Sequence, residues 1–392
     1  MNVIVMNNQA RSLVNFWTVL LRRMIARGHT VTCLVPEGDP EGDAALRALG
    51  ARVRHYPLDR KGLNPVRDAA TFLALYRLFR GASPGERPDL LYASTIKPVI
   101  YGLPAAALAG VGRRYAMITG LGYMFEADNP VKKLLTALAA LLYRFSLSFA
   151  RAVFFQNADD ISEFRRRHCL GKRTNVVPTR GTGVDTARFT PAPLPEGPPV
   201  FLLVARLLEA KGLYDFAEAA RLVKKKHPEA RFQLLGPPEE GRGGVPLETV
   251  RAWEREGLVE YLGQTRDVRP HVAAATVVAL PSWREGMPCS LMEGMSMGRP
   301  IVATDAPGCR EVTLHGQNGL LVPPRSPQAL AEALAAFADD PGLAARMGRE
   351  GRRLAEQEFD ADKAADHLLD VMGLAPCRGA PDLRKSGTRS DA

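Results

Sequence analysis

The chain has 392 residues, 46% of them apolar and 24% charged, with a formal net charge of +10, which is long enough for two domains with separate cores. Its five cysteines, Cys33, Cys169, Cys289, Cys309 and Cys377, are odd in number and show no Cys-x-x-Cys or Cys/His metal spacing, so a disulfide scaffold or zinc module is not expected and a reducing compartment is. No aromatic-studded RNA motif, zinc finger or helix-turn-helix signature accompanies the positive charge, so nucleic acid is not an expected partner.

The N-terminus, Met1-Asn2-Val3-Ile4-Val5-Met6, lacks the basic lead and long apolar core of a signal peptide and reads as a first strand, with a cytoplasmic location expected. Further apolar runs at 31–35, 90–93, 115–119 and 152–156 predict strands alternating with helical patterns. The runs at 199–205, 231–236, 277–281 and 300–304 do the same in the second half. This alternation predicts an α/β protein with two parallel sheets, each covered by helices on both faces. Between the halves, residues 190–199 (Thr-Pro-Ala-Pro-Leu-Pro-Glu-Gly-Pro-Pro) are too rich in proline for either element and predict an interdomain linker. The expected layout is therefore a first domain over 1–189, a second over 200–359, a helix over 360–375 and a disordered tail over 376–392.

Charge divides unevenly. Residues 1–190 carry 27 Lys/Arg against 14 Asp/Glu, and residues 191–370 carry 21 against 26. Basic clusters such as Arg22-Arg23, Lys132-Lys133 and Arg165-Arg166-Arg167 suit either a solvated face or anionic lipid headgroups and a diphosphate. Segment 131–155 gathers Leu134, Leu135, Leu138, Leu141, Leu142, Phe145 and Leu147 between basic residues. Its uncharged core falls short of the ~20 residues of a membrane span. It fits a helix lying in the membrane interface and equally one buried in the core.

The segment from Pro281 to Pro300 says most about chemistry. A strand ending near Pro281 runs into a loop holding Glu285 and then a short helix that contains Glu293 and stops at Gly298 and Pro300. Backbone N–H groups around Gly286, Met287, Pro288, Cys289 and Ser290, proline excepted, would face an anion such as a nucleotide diphosphate. The two flanking glutamates suit hydroxyl groups. Gly236 opens a Gly/Pro-rich loop, 236–244, at a strand C-terminus, the edge that faces ligands in open α/β sheets.

The Glu-x7-Glu of Glu285 and Glu293 resembles the motif of retaining glycosyltransferases of family 4. The resemblance continues through Gly183-Val184-Asp185, Val204-Ala205-Arg206-Leu207 to Lys211-Gly212, and Thr304-Asp305-Ala306-Pro307-Gly308, covering most of residues 90–340. It implies the GT-B fold, two Rossmann-like domains of which the C-terminal one binds the nucleotide sugar, with the helix from Asp360 packing back on the N-terminal one. It further implies that Arg206 and Lys211 serve as fixed cations for the leaving diphosphate, that Glu285 holds the transferred sugar, that Glu293 accepts from ribose hydroxyls, and that no metal or other cofactor is needed. The Asp-x-Asp at Asp360 and Asp362 opens a helix and is not expected to bind metal. Front-face retention requires no dedicated base, and none of the seven histidines sits in an evident catalytic loop.

The first domain is expected to hold the acceptor, through Lys97, Gly120, Gly122 and Tyr123 in loops after predicted strands. Where many relatives have a glycine-rich first loop this chain has Asn7-Asn8-Gln9-Ala10, and where many have a histidine it has Tyr123. The combination Ser-Thr-Ile-Lys-Pro, Thr-Gly-Leu-Gly-Tyr and Glu-Gly-Met-Pro is most similar to the branch that extends polyprenyl-diphosphate-linked sugars, including undecaprenyl-diphosphate N-acetylgalactosaminyltransferases. The expected partners are then a UDP-sugar, a lipid-linked saccharide acceptor and an anionic membrane surface. A UDP-sugar epimerase and a non-catalytic nucleotide-sugar-binding partner of a transferase share the architecture and are the alternatives.

Overall fold

The computed structural model describes residues 1–60, 62, 64–120, 130–239, 241 and 243–376. The chain divides into a first unit, Met1–Thr182 together with the segment from Asp362, and a second unit, Gly183–Ala361.

In the first unit seven parallel strands, β1 (Asn2–Met6), β2 (Thr30–Val35), β3 (Arg52–His55), β4 (Leu90–Ser94), β5 (Arg113–Ile118), β6 (Ala152–Phe155) and β7 (Val176–Pro178), lie in the order β3-β2-β1-β4-β5-β6-β7. Successive side chains of a strand point to opposite faces, and both faces are apolar here. Ile4, Met6, Leu91, Ala93, Val153 and Phe155 join one core with Val99, Leu103 and Tyr143. Val3, Val5, Tyr92, Tyr115 and Phe154 join another with Leu13, Leu21 and Leu369. A sheet buried on both sides reads as continuous apolar runs, the pattern seen in the sequence.

The second unit repeats the plan with six strands, β8 (Val200–Val204), β9 (Arg231–Leu235), β10 (Glu260–Tyr261), β11 (Val277–Leu280), β12 (Ile301–Thr304) and β13 (Gly319–Val322), in the order β10-β9-β8-β11-β12-β13. Phe201, Leu203, Phe232, Val277 and Ala279 pack on one side with Phe216 and Leu334. Leu202, Val278, Leu280 and Ile301 pack on the other with Leu291, Met292 and Met295. Both units are doubly wound α/β, as the alternation of runs predicts.

The boundary falls before Gly183 and not within residues 190–199. That proline-rich stretch is fastened to the second unit. The buried Arg299 donates from Nη2 to the carbonyls of Ala192 (2.9 Å) and Pro193 (2.7 Å), and Ala192 N–H donates to Met297 O at 3.2 Å. Prolines supply no N–H of their own, so the segment is held through its carbonyls. The two ends of the second unit pair as well, Val184 N–H donating to Phe359 O (2.7 Å) and Ala361 N–H to Val184 O (2.9 Å).

Helix Ala361–Met372 is fixed to the first unit from Asp362 onward. Arg23 pairs with Asp362 (2.6 Å) and Asp366 (2.8 Å), and Arg27 with Asp366 (2.6 Å). In the Asp-x-Asp, Asp362 is thus committed to Arg23 while Asp360 accepts from the Thr186 hydroxyl at 2.6 Å. The tail beyond Pro376 lies outside the described residues. Among the described residues no helix is long and apolar enough to cross a membrane.

Candidate active site

In an open parallel sheet the strand order reverses at one point, and the C-terminal ends of the two strands there leave a crevice for ligands. In the second unit these strands are β8 and β11. The loop after β8 carries Arg206 and Lys211, and the loop after β11 carries Glu285, so the topology itself gathers the residues singled out in the sequence.

The two loops are laced together. Ala210 O accepts from the Ser282 hydroxyl and from Trp283 N–H, both at 2.9 Å, and Glu285 N–H donates to Pro307 O at 2.9 Å. Gly308 (φ +83°) lies against the Glu285 backbone so closely that a Cβ there would sit 2.6 Å from Glu285 O. Only glycine tolerates that approach and that φ. The Arg325 guanidinium stacks on the Trp283 ring, 4.1 Å from its centroid, within reach of a cation–π attraction. Glu285 is therefore held on a rigid loop, and its carboxylate meets Lys211 Nζ at 2.5 Å with both side chains largely buried.

Arg206 is more open. Its side chain is 55% exposed and its guanidinium pairs with Glu239 at 2.8 Å. Glu239 comes from the loop after β9, whose backbone meets the Arg206 loop through Leu207 N–H to Pro237 O (3.0 Å) and Val245 N–H to Leu207 O (2.9 Å). Gly236 begins that loop, donating its N–H to Gly263 O (2.7 Å) and accepting from the Tyr261 hydroxyl (2.9 Å). Neither Glu239 nor the Trp283–Arg325 stack stood out in the sequence. A carboxylate in the loop after a strand at the ligand-facing edge is the signal that would have found Glu239.

Helix Cys289–Ser296 follows, with Pro288 at its N-cap and no capping side chain, so its first N–H groups depend on partners other than a cap. It stops in a Schellman turn: Gly298 N–H donates to Met295 O (3.0 Å) and Arg299 N–H to Gly294 O (2.9 Å), with Gly298 at φ +76°. The side chain of Met287 is buried in the core, leaving only its backbone for a ligand; Gly286 and Pro288 are likewise buried, whereas Cys289 and Ser290 are half-buried at the first turn.

Glu293, further along this helix, stands apart. Among the described residues its carboxylate takes no hydrogen bond or ion pair. Burial pushes its pKa up to about 7, against the opposing attraction of Arg188. A half-submerged carboxylate without donors is an incomplete arrangement that hydroxyl groups of a ligand would complete.

The corresponding reversal in the first unit lies between β1 and β4. There most of the polar groups are satisfied internally, Thr95 excepted. Buried Asn7 donates its amide to Ser94 Oγ (2.8 Å), and its carbonyl accepts from the Tyr56 hydroxyl (3.0 Å). Lys97, expected at an acceptor phosphate, donates instead to Asp59 O (2.7 Å), Gly62 O (2.8 Å) and Asp68 Oδ1 (2.7 Å). Those three bonds use all three donors of an ammonium group, so Lys97 bolts the 59–68 segment to helix Ile96–Leu108 in this structure. Thr95, before that helix, has φ +73° and ψ 164°, a region nearly confined to glycine. Its hydroxyl oxygen is buried without a partner. Gly120 (φ +112°) ends the described stretch, and Gly122 and Tyr123 lie outside the described residues. Among the described residues no group of three or more His, Cys, Asp or Glu side chains is arranged to hold a metal ion.

Two family models match the chain, one described as glycosyl transferase 4-like domain over residues 14–180 and one as glycosyl transferases group 1 over residues 198–340. With two doubly wound sheets and this pair of matches, the chain belongs to the glycosyltransferases of the GT-B fold. It is 26% identical over 379 residues to the Campylobacter jejuni N,N'-diacetylbacillosaminyl-diphospho-undecaprenol alpha-1,3-N-acetylgalactosaminyltransferase, covering 93% of this chain and 96% of that one. An Escherichia coli UDP-Gal:alpha-D-GlcNAc-diphosphoundecaprenol alpha-1,3-galactosyltransferase is 24% identical over 329 residues, 79% of this chain and 81% of its own. Among solved structures, Anabaena Alr3699/HepE in complex with UDP and glucose superposes with a TM-score of 0.76 at 18% identity, covering 95% of this chain and 99% of that one.

Proposed function

We propose that this protein is a retaining glycosyltransferase that moves a hexose or N-acetylhexosamine from a UDP-sugar to a polyprenyl-diphosphate-linked saccharide in bacterial glycan assembly, without a metal ion, at the inner face of the cell membrane. The observation that carries the reading is the assembly, at one strand-order reversal, of Arg206, Lys211, Glu285 and Glu293, the last with no hydrogen bond to its carboxylate among the described residues. The names of the two relatives above, both acting on diphospho-undecaprenol saccharides, support the acceptor class.

In this reading the bond from the anomeric carbon to the diphosphate breaks and negative charge grows on the leaving oxygen. Lys211 and Arg206 receive it, each exchanging its carboxylate partner for phosphate. Fixed charge aimed at a developing oxyanion is worth roughly 3–4 kcal/mol per donor. Glu285 turns to the hydroxyls of the sugar, and Glu293 accepts from the ribose. The acceptor hydroxyl forms the new bond on the same face of the sugar and gives its proton to the departing phosphate, so UDP leaves and anomeric configuration is retained.

The test is UDP release from a panel of UDP-hexoses and UDP-N-acetylhexosamines, in EDTA, with and without a polyprenyl-diphosphate sugar. Acceptor-dependent release from one donor, with an α-linked product by NMR, is expected. An altered sugar formed without acceptor would make the protein an epimerase. Tight UDP binding without turnover on any acceptor would make it a binding partner.

A further inference from the structure

Helix Pro130–Leu147 has a core face that is already complete. Thr136, Ala139, Ala140, Tyr143, Ser146 and Leu147 are buried; the Tyr143 ring meets Phe164 at 5.0 Å, and the Ser146 hydroxyl donates to Ile100 O at 2.6 Å. The opposite face is apolar as well. Leu134, Leu138, Leu141 and Phe145 are 71%, 51%, 62% and 57% exposed, and their spacing of four, three and four residues puts them in one line, about 16 Å long. Of the twelve large hydrophobic side chains exposed among the described residues these are four, and no other element carries more than two. Scattered exposed leucines need no explanation, whereas a continuous stripe marks a surface that meets something.

The flanks of the stripe indicate what it meets. Lys133 and Arg144 border it, and beside it lies a notch of about 340 Å³ whose lining includes Lys133, Arg144, Arg167 and His168; Arg167 is paired with Glu163, so Lys133 and Arg144 are the cations the notch offers. Arg144 also donates to His168 O at 3.3 Å, which fixes it at the notch. Apolar side chains bordered by cations, on a helix whose inner face is core, match the interface of an anionic bilayer. A second copy of this chain fits less well, because a twofold contact through the stripe would bring its basic borders toward one another.

We propose that this face docks the first unit flat on a bilayer containing anionic phospholipid, with Leu134, Leu138, Leu141 and Phe145 entering the acyl boundary and a lipid phosphate seated in the notch. The proposal deepens the functional reading above, on which it rests for its purpose, since a polyprenyl-linked acceptor resides in a bilayer.

The experiment is co-sedimentation of the full-length protein with phosphatidylcholine vesicles, with and without phosphatidylglycerol. Binding should be about tenfold tighter with phosphatidylglycerol, as expected when a few cations meet an anionic surface. Leu138→Glu with Leu141→Glu should lower it by about tenfold or more, and Lys133→Glu should erase the lipid preference. UDP affinity and thermal midpoint should hold in all variants, because these side chains are solvent-exposed. Absence of vesicle binding by the unaltered protein, or unchanged binding by the double variant, overturns the proposal. So does a dimer that the double variant splits while neither form binds vesicles. Vesicle binding with no sugar transfer would sink the functional reading alone, and transfer to a short-chain acceptor with no vesicle binding would sink only the docking surface.

Discussion

The two strand-order reversals of this molecule are alike in topology and opposite in how their polar groups are placed. Between β1 and β4, Asn7, Ser94, Tyr56 and Lys97 find partners among themselves and the nearby backbone. Between β8 and β11 the cations are held in ion pairs, one of them exposed, and Glu293 has no donor among the described residues. A polar group already satisfied gains little from a ligand, whereas one left incomplete gains the full interaction. The crevice of the first unit is thus largely satisfied, Thr95 excepted, while that of the second is left incomplete at Glu293, and sequence position after a strand does not distinguish them.

The sharpest way to break this contrast is to neutralise one lysine in each crevice. Lys211→Gln should lower turnover by about 10²–10³-fold, the usual cost of losing one charge-stabilising donor, with a modest fall in thermal midpoint. Lys97→Ala should do the reverse. It strips a largely buried carboxylate of its partner and the 59–68 segment of two bonds, costing about 2–3 kcal/mol of stability, while turnover of the folded protein stays within a few-fold. Steady-state rates and denaturant midpoints measured on both variants decide it. If Lys97→Ala silences transfer at unchanged stability, the first crevice is also poised and the contrast is wrong.

Nine strands, β1, β2, β4, β5, β6, β8, β9, β11 and β12, were legible as apolar runs. The four that were not, β3, β7, β10 and β13, are the edges of the two sheets. Edge strands are covered less completely, so they need not be apolar throughout: β3 reads Arg-Val-Arg-His with no fully buried residue, and β10 is Glu-Tyr. The linker was misplaced for a related reason, since proline richness reports missing regular structure and not missing contacts. In the second unit the sequence motifs fix the spacing of Arg206, Lys211, Glu285 and Glu293, and the loops after β8 and β11 and the helix that follows carry them where that spacing puts them. The Arg206–Glu239 pair and the Trp283–Arg325 stack were not legible, because each depends on loops brought together from distant parts of the chain. The bonding of Lys97 is not visible in the motif around it, because its partners, Asp59, Gly62 and Asp68, come from a different loop.

Glu293 offers a test through pH. Its folded-state pKa, about 7, stands above its ordinary 4.5, so ionised Glu293 opposes folding. That penalty is fully present above pH 7, shrinks as pH falls toward 4.5 and is gone below it. Glu293→Gln should therefore stabilise the protein at about pH 8, by up to about 3 kcal/mol, and leave it unchanged near pH 4. UDP-sugar affinity should move the other way. The carboxylate accepts ribose hydroxyls best when ionised, so affinity should weaken as pH drops through 7, and the glutamine variant should lose that dependence. Calorimetric titration with a UDP-sugar, whose diphosphate does not titrate in this range, reads it directly. A flat profile in the unaltered protein would mean that Glu293 is not left for a ligand.

The smallest effect expected lies at Thr95, where the first crevice departs from its otherwise satisfied pattern. A β-branched residue at φ +73°, ψ 164° costs about 1–3 kcal/mol, and the buried hydroxyl adds to the strain. Thr95→Gly removes both but lets the unfolded chain gain freedom, worth up to about 1 kcal/mol. The net expectation is a stabilisation of about 1 kcal/mol, or roughly 2–4 °C in midpoint for a unit of this size. Strain of this kind persists where the surroundings over-determine it, and at the N-terminus of helix Ile96–Leu108 its use would be to position the hydroxyl and adjoining N–H groups for the acceptor. The variant should then show a raised KM for the acceptor and an unchanged affinity for the UDP-sugar. Stabilisation with unchanged acceptor KM would separate the strain from function, and a loss of stability would show that Thr95 is accommodated without strain.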